Sequence, residues 1–403
     1  MDFIKSSVKN YVPKNLQQQI TTSIYPDLTI DDIDEIDNGT VVFDYSSDRT
    51  GVYNDNGDLC KNSVLLRFGE KTIANVNRHI KKCDFINETV IYLGTGYVFE
   101  HFGHFLTEGI NRFWPLLYPK YKKCKVVIAL RNKNNIPEFV RKMLNAMGVE
   151  DKDIIVVGKN TRFAKIFVPY QSTNINVKIL SITKSVYDKI GTVLEDKNIK
   201  TFDKIYMSRS AMNDGRTFGE KQIEKIFEKN GYKIIYPEQL SLEHQITLVR
   251  SCKEMAGTAG SALHLAFFMK PGCRVVQIKR NSTVSDNINI QNMIDAVSGL
   301  ETILVYGSIE TYKTNHFTSA PQILGVTPEM LKFFQDYNFK YEKSDIDFDN
   351  AEFNRYLRQL RKYKRHKFYK KVFDLPIRII SLLGITKHGR EIIREHLRMF
   401  FHI

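Results

Sequence analysis

The first candidate for chemistry is a pair of histidines and a glutamate in the stretch EHFGHFLTEG. His101 and His104 are three residues apart, and Glu108 follows His104 by four residues. In a helix, His104 and Glu108 would lie on one face, where a carboxylate can orient a histidine that acts as a general base. A metal would need a third ligand from Glu100 or Glu108, and the spacing is not the HExxH pattern of zinc enzymes. A buried histidine with a purely structural hydrogen bond is the remaining interpretation.

The glycines before this pair do not form a dinucleotide-binding fingerprint. Gly94 and Gly96 follow an apolar run, but no third glycine has the required spacing. An acidic residue is also missing from the expected place after a second strand. The stretch therefore does not predict a dinucleotide site.

A run of small residues suggests a second kind of chemistry, the binding of an anion. It follows the strand-like EMAG and precedes SALHLAFF, in which we expect a helix to begin at about Ala262. Amide groups at a helix N-terminus bind anions, and small side chains let a phosphate approach the backbone. A tight strand-to-helix turn without a ligand is the alternative. The candidate residues are Gly257, Thr258, Gly260, Ser261 and Ala262.

Two arginines, Arg209 and Arg216, lie on a loop just after another predicted strand. Their forked donors could neutralise a diphosphate, although arginines are also common on surfaces. This loop and the small-residue run both follow strand ends of the same predicted unit, which favours a nucleotide diphosphate. Tyr236 and Glu238 follow a third strand and could shelter a base and bond a ribose hydroxyl. A loop that only precedes the helix at 242–250 explains them equally well.

The elements that must position these residues follow an α/β pattern after an irregular leading segment. Short strands that are apolar on both faces alternate with helices, which is typical of mostly parallel sheets. We expect two such units, residues 1–195 and 196–345, joined by a helix at about 176–196. The predicted fold class is α/β, with two Rossmann-like domains facing a cleft. Ligands of such sheets bind at the carboxyl ends of the strands.

The first unit should contain one helix over the stretch from His104 to Tyr118. Its apolar residues Phe113 and Trp114 are then expected in the core. This helix would present His104 and Glu108 to the cleft.

Composition limits the class of protein. The chain has 403 residues, of which 42% are hydrophobic, so it can form more than one core. No apolar leader and no run of eighteen apolar residues is present, and we therefore expect a cytoplasmic protein. The cysteines are scattered and form no CxxC pair, which predicts free thiols and no structural zinc site. They are Cys60, Cys83, Cys124, Cys252 and Cys273.

The positive charge is concentrated in a helical tail, residues 346–403. From residue 353 to the last residue there are 14 Lys and Arg against 3 Asp and Glu, most of the net charge of +14. Basic residues beside apolar LPIRIISLLGI and LRMFFHI favour an anionic membrane surface as the partner of 353–403. A solvated surface helix and a nucleic-acid-binding segment are the alternatives, and we do not expect nucleic acid.

Four pieces in order resemble glycosyltransferase family 61, including its bacterial capsule-type members. They are the stretch HFGHFLTEGINRFWPLL, the arginine loop, the segment YPEQLSLEHQ, and GTAGSALHLAFFMKPG. The resemblance extends over about residues 89–278. It departs from the family at Ser210, where a second arginine is frequent, at Gly219-Glu220, where an Asn-Glu pair is usual, and in the turn after Gly257, which lacks a bulky polar side chain.

The resemblance implies a fold of the glycosyltransferase B type. It also implies inverting transfer of a sugar from a nucleotide sugar, without a catalytic metal or other cofactor. The C-terminal unit would bind the donor, with Arg209, Arg216 and the turn Gly257–Ser261 holding the diphosphate; Glu238 and Gln245 belong to the family's motif segment. His101 and Gly103 would lie on the acceptor side, and His104 is our preferred base, with Glu108 as its orienter or as the alternative base.

These expectations lead to one function and one alternative. The function is an inverting glycosyltransferase that acts on a glycan or lipid-linked acceptor in capsular polysaccharide biosynthesis, as a peripheral protein of the membrane. The alternative is a non-catalytic α/β protein that binds nucleotide, nucleic acid or membrane.

Overall fold

The fold is that of a computed structural model, which describes part of the chain. The described residues are 3–4, 8–17, 22–23, 28–43, 50–66, 83–130, 136–212, 216–281, 286–309 and 320–382.

The strands are short and mostly buried. In chain order they are β1 (Phe3–Ile4), β2 (Val8–Tyr11), β3 (Thr22–Ser23), β4 (Ile33–Asp37), β5 (Thr40–Val42), β6 (Gly51–Tyr53), β7 (Asp84–Thr95), β8 (Lys125–Ala129), β9 (Ile154–Val157), β10 (Thr161–Pro169), β11 (Thr173–Asn174), β12 (Lys178–Ile179), β13 (Lys204–Met207), β14 (Thr217–Phe218), β15 (Lys233–Ile235), β16 (Glu254–Thr258), β17 (Arg274–Lys279), β18 (Glu301–Tyr306) and β19 (Gln322–Ile323).

The α-helices connect these strands and form the C-terminal part of the chain. They are α1 (Phe102–His104), α2 (Glu138–Ala146), α3 (Ser181–Leu194), α4 (Glu220–Lys229), α5 (Leu242–Ser251), α6 (Asp286–Val297), α7 (Pro328–Asp336), α8 (Lys343–Ile346) and α9 (Asn350–Leu382).

Two large sheets carry the fold, which is α/β as predicted. The first has seven strands: β10, β7, β8 and β9 run parallel, and β4, β5 and β6 join antiparallel. The second has six parallel strands in the order β15-β13-β16-β17-β18-β2. Its outer strand β2 comes from the start of the chain, a segment that sequence analysis assigned to the N-terminal unit.

One apolar core joins the elements around both sheets. Leu93 of the first sheet and Met207 of the second belong to the same buried cluster. Helix α3 connects the two halves, and its Tyr187 stacks on Phe267 with ring centroids 4.2 Å apart. Phe113 and Trp114 are fully buried, as predicted. The contact between the two halves is therefore a packed interface.

The predicted helix from His104 to Tyr118 is wrong. Helix α1 ends at His104 and passes into a π-helical turn at Phe105–Gly109, closed by the Ile110 amide donating to the Phe105 carbonyl. A 3₁₀ turn follows at Trp114–Leu117, with Pro115 in its first positions. Proline has no amide hydrogen to donate to a continuing helix, and π turns are frequent at functional sites.

Gly219, at the start of α4, is required by its backbone and by its surroundings. Its φ is +78°, and a Cβ there would lie 2.1 Å from the carbonyl oxygen of Leu324. We expect Gly219→Ala to lower the free energy of unfolding by at least about 3 kcal/mol, since backbone strain and a steric clash add. Urea denaturation measures this loss.

A matched control separates the two causes. Gly231 has a φ of +84°, but a Cβ there meets no atom within 4 Å. Gly231→Ala should therefore cost only the strain of the backbone, about 1–2 kcal/mol. Equal losses in the two variants would refute the role of the Leu324 contact.

Two further expectations concern the cysteines and the membrane. All five cysteines are free thiols. Among the described residues, no helix combines the length and apolar character needed to cross a membrane.

Candidate functional site

One cleft collects most of the residues singled out by the sequence. It has a volume of about 940 Å³ and is lined by residues that follow strands of both sheets. Its size falls in the range of small-molecule sites, about 300–1,000 Å³. The two walls of the cleft differ in their chemistry.

The wall from the second sheet is built at the carboxyl ends of four neighbouring strands. Arg209 follows β13, Glu238 follows β15, Gly260 follows β16 and Arg280 follows β17, and all four line the cleft. The strands are adjacent in the order β15-β13-β16-β17. Because they run parallel, their carboxyl ends meet at one edge and bring together residues that are far apart in sequence. We call this the donor wall, after the expectation from the sequence that it holds a sugar donor.

Two guanidinium groups of the donor wall converge on Gly260. A Cβ placed there would lie 3.4 Å from Nη1 of Arg209 and 3.8 Å from Nη2 of Arg280. Ser261 begins a 3₁₀ helix, Ser261–Phe268, directly after this glycine. Arg216 lines the same cleft from the end of the arginine loop. Forked donors beside exposed amides can hold a diphosphate.

Two buried carboxylates of α4 support the arginine loop from behind. Glu220 accepts hydrogen bonds from the Arg209 amide and from the hydroxyl of Tyr206, both at 3.2 Å. Glu224 accepts from the hydroxyls of Ser208, at 2.5 Å, and Tyr236, at 3.2 Å. These bonds fix the backbone from which Arg209 extends.

Glu220 makes stability depend on pH. Burial, with the charge of Glu224, raises the pKa of the Glu220 carboxyl to about 7, against the opposing charges of Arg209 and Arg280. The folded state therefore holds this proton more tightly than the unfolded state. The protonated carboxyl makes its full contribution to the free energy of unfolding below the ordinary pKa of 4.5. That contribution is lost as the pH rises to 7.

We expect Glu220→Gln to remove this dependence. Between pH 4.5 and 7 the variant should gain up to roughly 3 kcal/mol in free energy of unfolding relative to the wild type. Urea denaturation across that range measures the difference. The control Glu228→Gln changes an exposed glutamate of the same helix. If the free energies of unfolding of the wild type and Glu220→Gln differ by the same amount at every pH in this range, the raised pKa of Glu220 is contradicted.

The segment after β15 is held by hydrogen bonds from α5, the helix that follows it. Gln245 lines the cleft, and its Nε2 donates to the carbonyls of Pro237, at 2.8 Å, and Leu240, at 3.1 Å. Ser241 caps α5 by accepting from the His244 amide at 3.2 Å. Gln245 therefore positions the turn that carries Glu238.

The opposite wall presents a histidine backed by a carboxylate. Nδ1 of His104 lies 2.9 Å from Oε2 of Glu108. The side chain of His104 is 41% exposed and lines the cleft, whereas that of Glu108 is 1% exposed and lies behind it. With Nδ1–H donating to the carboxylate, Nε2 carries the lone pair that can accept a proton. We call this the acceptor wall, after the expectation from the sequence that it faces the acceptor.

His101 lies beside this pair on the acceptor wall. Its ring centroid is 4.9 Å from that of His104. Burial and the neighbouring charge of His104 lower the pKa of His101. Within the described ranges, no group of three or more His, Cys, Asp or Glu side chains is placed to hold a metal ion.

The two walls touch at Gly103 and Ser261. A Cβ on Gly103 would lie 2.2 Å from Oγ and 2.9 Å from Cβ of Ser261. Glycine therefore allows the acceptor wall to approach the start of the 3₁₀ helix. This contact sets the distance between His104 and the donor wall.

Most of the predicted site residues line the cleft, but some do not. Those that line it are His101, Gly103, His104, Arg209, Arg216, Glu238, Gln245, Gly260, Ser261 and Ala262. Glu108 and Tyr236 lie behind it, bonded to His104 and to Glu224. Gly257 and Thr258 belong to β16 and not to the turn, and the helix after the turn begins at Ser261. The turn that faces the cleft is thus shorter than predicted.

Sequence reasoning missed several residues of the cleft. Arg280 is the most important of them, because it is the third arginine of the cleft and lies with Arg209 beside Gly260. The sequence contains a sign of it, since Arg280 directly follows the apolar run CRVVQIK in the same unit as Arg209. Ser208, His264 and Lys142 also line the cleft. His264 lay inside a predicted helix, where only packing could show that it reaches the cleft.

Comparison with protein families matches part of the chain. Residues 102–276 match the family model of Glycosyltransferase 61, which is less than half of the chain. The matched segment includes His104, Arg209 and Gly260 but ends before Arg280. No curated protein matches the chain. The match supports a glycosyltransferase.

Proposed function

We propose that this protein is an inverting glycosyltransferase that uses a nucleotide-sugar donor. The convergence of Arg209, Arg216 and Arg280 on one cleft, facing the His104–Glu108 pair, carries the proposal. Cations and helix amides suit a diphosphate leaving group, and a histidine backed by a carboxylate suits a general base. A single displacement needs these two groups on opposite sides of the reacting carbon.

The proposed reaction proceeds in one step. The acceptor hydroxyl oxygen bonds to the anomeric carbon of the sugar and releases its proton to Nε2 of His104. The bond from that carbon to the phosphate oxygen breaks, and its electron pair leaves with the nucleoside diphosphate. Glu108 stabilises the imidazolium, and the arginines stabilise the developing phosphate charge. Attack opposite the leaving group inverts the anomeric configuration.

We further propose that the reaction needs no metal cofactor. Three arginines line the cleft where a metal would otherwise neutralise the diphosphate. Transfer should therefore continue in the presence of EDTA. Strong inhibition that Mg²⁺ or Mn²⁺ reverses would contradict this part of the proposal.

The donor is tested by thermal melting with UDP-, GDP- and ADP-sugars. At least one should raise the melting temperature, because a ligand that binds the folded state stabilises it. Transfer from that donor, with NMR of the product's anomeric configuration, then tests inversion. If no nucleotide sugar shifts the melting temperature, the protein does not bind such donors and the proposal fails.

For the acceptor we propose a glycan or a lipid-linked glycan in capsular polysaccharide biosynthesis. Helix α9 supports the membrane part of this proposal. Tyr356 and Leu360 anchor its first turns in a buried cluster with Phe218. From Arg361 onward the described side chains are largely exposed and basic, and Phe368 and Tyr369 are exposed among them. Such a helix suits the interface of an anionic membrane, which would place the protein peripherally at its cytoplasmic face.

Vesicle co-sedimentation tests the membrane surface. The triple variant Arg361→Glu, Arg365→Glu and Lys367→Glu should bind phosphatidylserine vesicles at least about 10-fold more weakly, since each basic residue contributes about 1 kcal/mol. The control reverses three exposed lysines elsewhere, Lys189, Lys197 and Lys200. Equal losses in both triple variants, or none in the first, would overturn the proposal.

A further inference from the structure

His264 belongs to the donor wall and yet lies close to the acceptor wall. It follows Ser261 by three residues in the 3₁₀ helix, so the two side chains project from the same side. Both residues line the cleft. The charges of His104 and His101 are near enough to affect the titration of His264.

A buried network fixes the orientation and the tautomer of His264. Nδ1 of His264 lies 2.8 Å from Oε1 of Gln291. The amide nitrogen of Gln291 donates to the carbonyl of Leu263, at 3.0 Å, and to Oδ1 of Asp295, at 2.8 Å. Both amide hydrogens therefore have acceptors, and Oε1 must receive a hydrogen from His264. The proton is thus on Nδ1, and Nε2 carries the lone pair.

The far end of the network is rigid as well. Oδ2 of Asp295 accepts from Nε2 of Gln277 and from the hydroxyl of Thr302, both at 3.0 Å. Asp295 and Gln277 are fully buried. A chain of buried hydrogen bonds holds a side chain in one position.

Burial keeps His264 neutral. It lowers the pKa of His264 to about 4, and the charges of His104 and His101 act in the same direction, against the hydrogen bond that His264 donates to Gln291. At ordinary pH the ring is therefore a hydrogen-bond acceptor at Nε2. A group with so low a proton affinity is a poor general base near neutral pH.

We propose that Nε2 of His264 accepts a hydrogen bond from a hydroxyl of the transferred sugar and selects donor sugars that carry this hydroxyl. The inference rests on the proposed function. The sugar of a bound donor must lie between the diphosphate, beside Gly260 and Ser261, and the base, His104. His264 lines the cleft near both. A hydroxyl is the group of a sugar that donates to a fixed acceptor, and an analogue without it leaves a buried acceptor unsatisfied.

The test compares two variants of His264, each of which keeps the hydrogen bond of only one of the two ring nitrogens. His264→Asn keeps a donor near the Nδ1 position for Gln291 and removes the acceptor of the cleft. His264→Gln keeps an acceptor near the Nε2 position. For each protein, calorimetry gives the Kd of the donor selected by melting, of its nucleoside diphosphate, and of each single-deoxy sugar analogue of that donor.

One deoxy analogue should bind the wild type about 10-fold more weakly than the parent donor, the equivalent of one buried hydrogen bond. In His264→Asn that analogue and the parent should bind within about 2-fold of each other, while His264→Gln retains the discrimination. The nucleoside diphosphate should bind all three proteins alike.

Two results would overturn the inference in different ways. If the wild type and His264→Asn show the same ratio of Kd between each deoxy analogue and the parent donor, His264 does not contact a sugar hydroxyl, although the proposed function stands. If the wild type binds neither the nucleoside diphosphates nor the nucleotide sugars, the proposed function fails and the inference fails with it.

Discussion

His104→Ala should lower the kcat of sugar transfer by about 10²–10⁴-fold, the usual contribution of a positioned general base. The Kd of the donor stays within about 3-fold, because His104 lies on the acceptor wall and the arginines lie on the other. Steady-state kinetics with calorimetry of donor binding separates the two quantities.

Glu108 should act through His104. It lies behind the histidine with its side chain 1% exposed, and its carboxylate holds Nδ1 at 2.9 Å. Glu108→Gln keeps the shape and a hydrogen-bond acceptor but not the charge that stabilises the imidazolium, so kcat should fall less than in His104→Ala.

His244→Ala, on α5 away from the cleft lining, serves as the control. A kcat of His104→Ala close to that of the wild type would refute the assignment of the base.

Arg280→Ala should lower kcat/KM by about 10²–10³-fold, the effect of removing one preorganised charge from a leaving-group site. Nη2 of Arg280 would lie 3.8 Å from a Cβ at Gly260, beside Nη1 of Arg209 at 3.4 Å. Arg280→Lys keeps the charge without the fork, and should recover part of the activity. The rise in melting temperature that the nucleotide sugar causes should be largest in the wild type, smaller in Arg280→Lys and smallest in Arg280→Ala.

Folding must be separated from binding in this test. Arg280 is buried, and its Nη1 donates to the Thr217 hydroxyl at 3.4 Å. The melting temperature without ligand therefore accompanies each variant. Lys270→Ala, which removes an exposed cation outside the cleft, is the control. A folded Arg280→Ala with nearly unchanged kcat/KM would exclude Arg280 from the donor site.

The local parts of the fold followed from residue patterns. Apolar runs with helices between them predicted strands such as β13 and β16. The spacing of His104 and Glu108 predicted their contact. Such features depend on neighbours within a few residues, which the sequence displays directly.

The differences between the predicted and the observed fold have identifiable physical causes. Pro115 and the π turn interrupt the helix predicted from His104 to Tyr118. The pattern of apolar residues there was helical, but it arises from burial on several sides, with Phe113 and Trp114 fully enclosed. Strand β2 pairs with β18 across most of the chain, and no local pattern indicates such a partner.

The sequence by itself determined which residue types lie at the strand ends: arginine after β13, glycine and serine after β16, and histidine near the end of β7. Only the tertiary structure decided that Arg280 joins Arg209 at Gly260 and that Gly103 brings the acceptor wall against Ser261. It also decided that Gln291 and Asp295 fix His264. The reason is that the order and register of the parallel strands, and the packing between the sheets, depend on contacts between segments far apart in the chain.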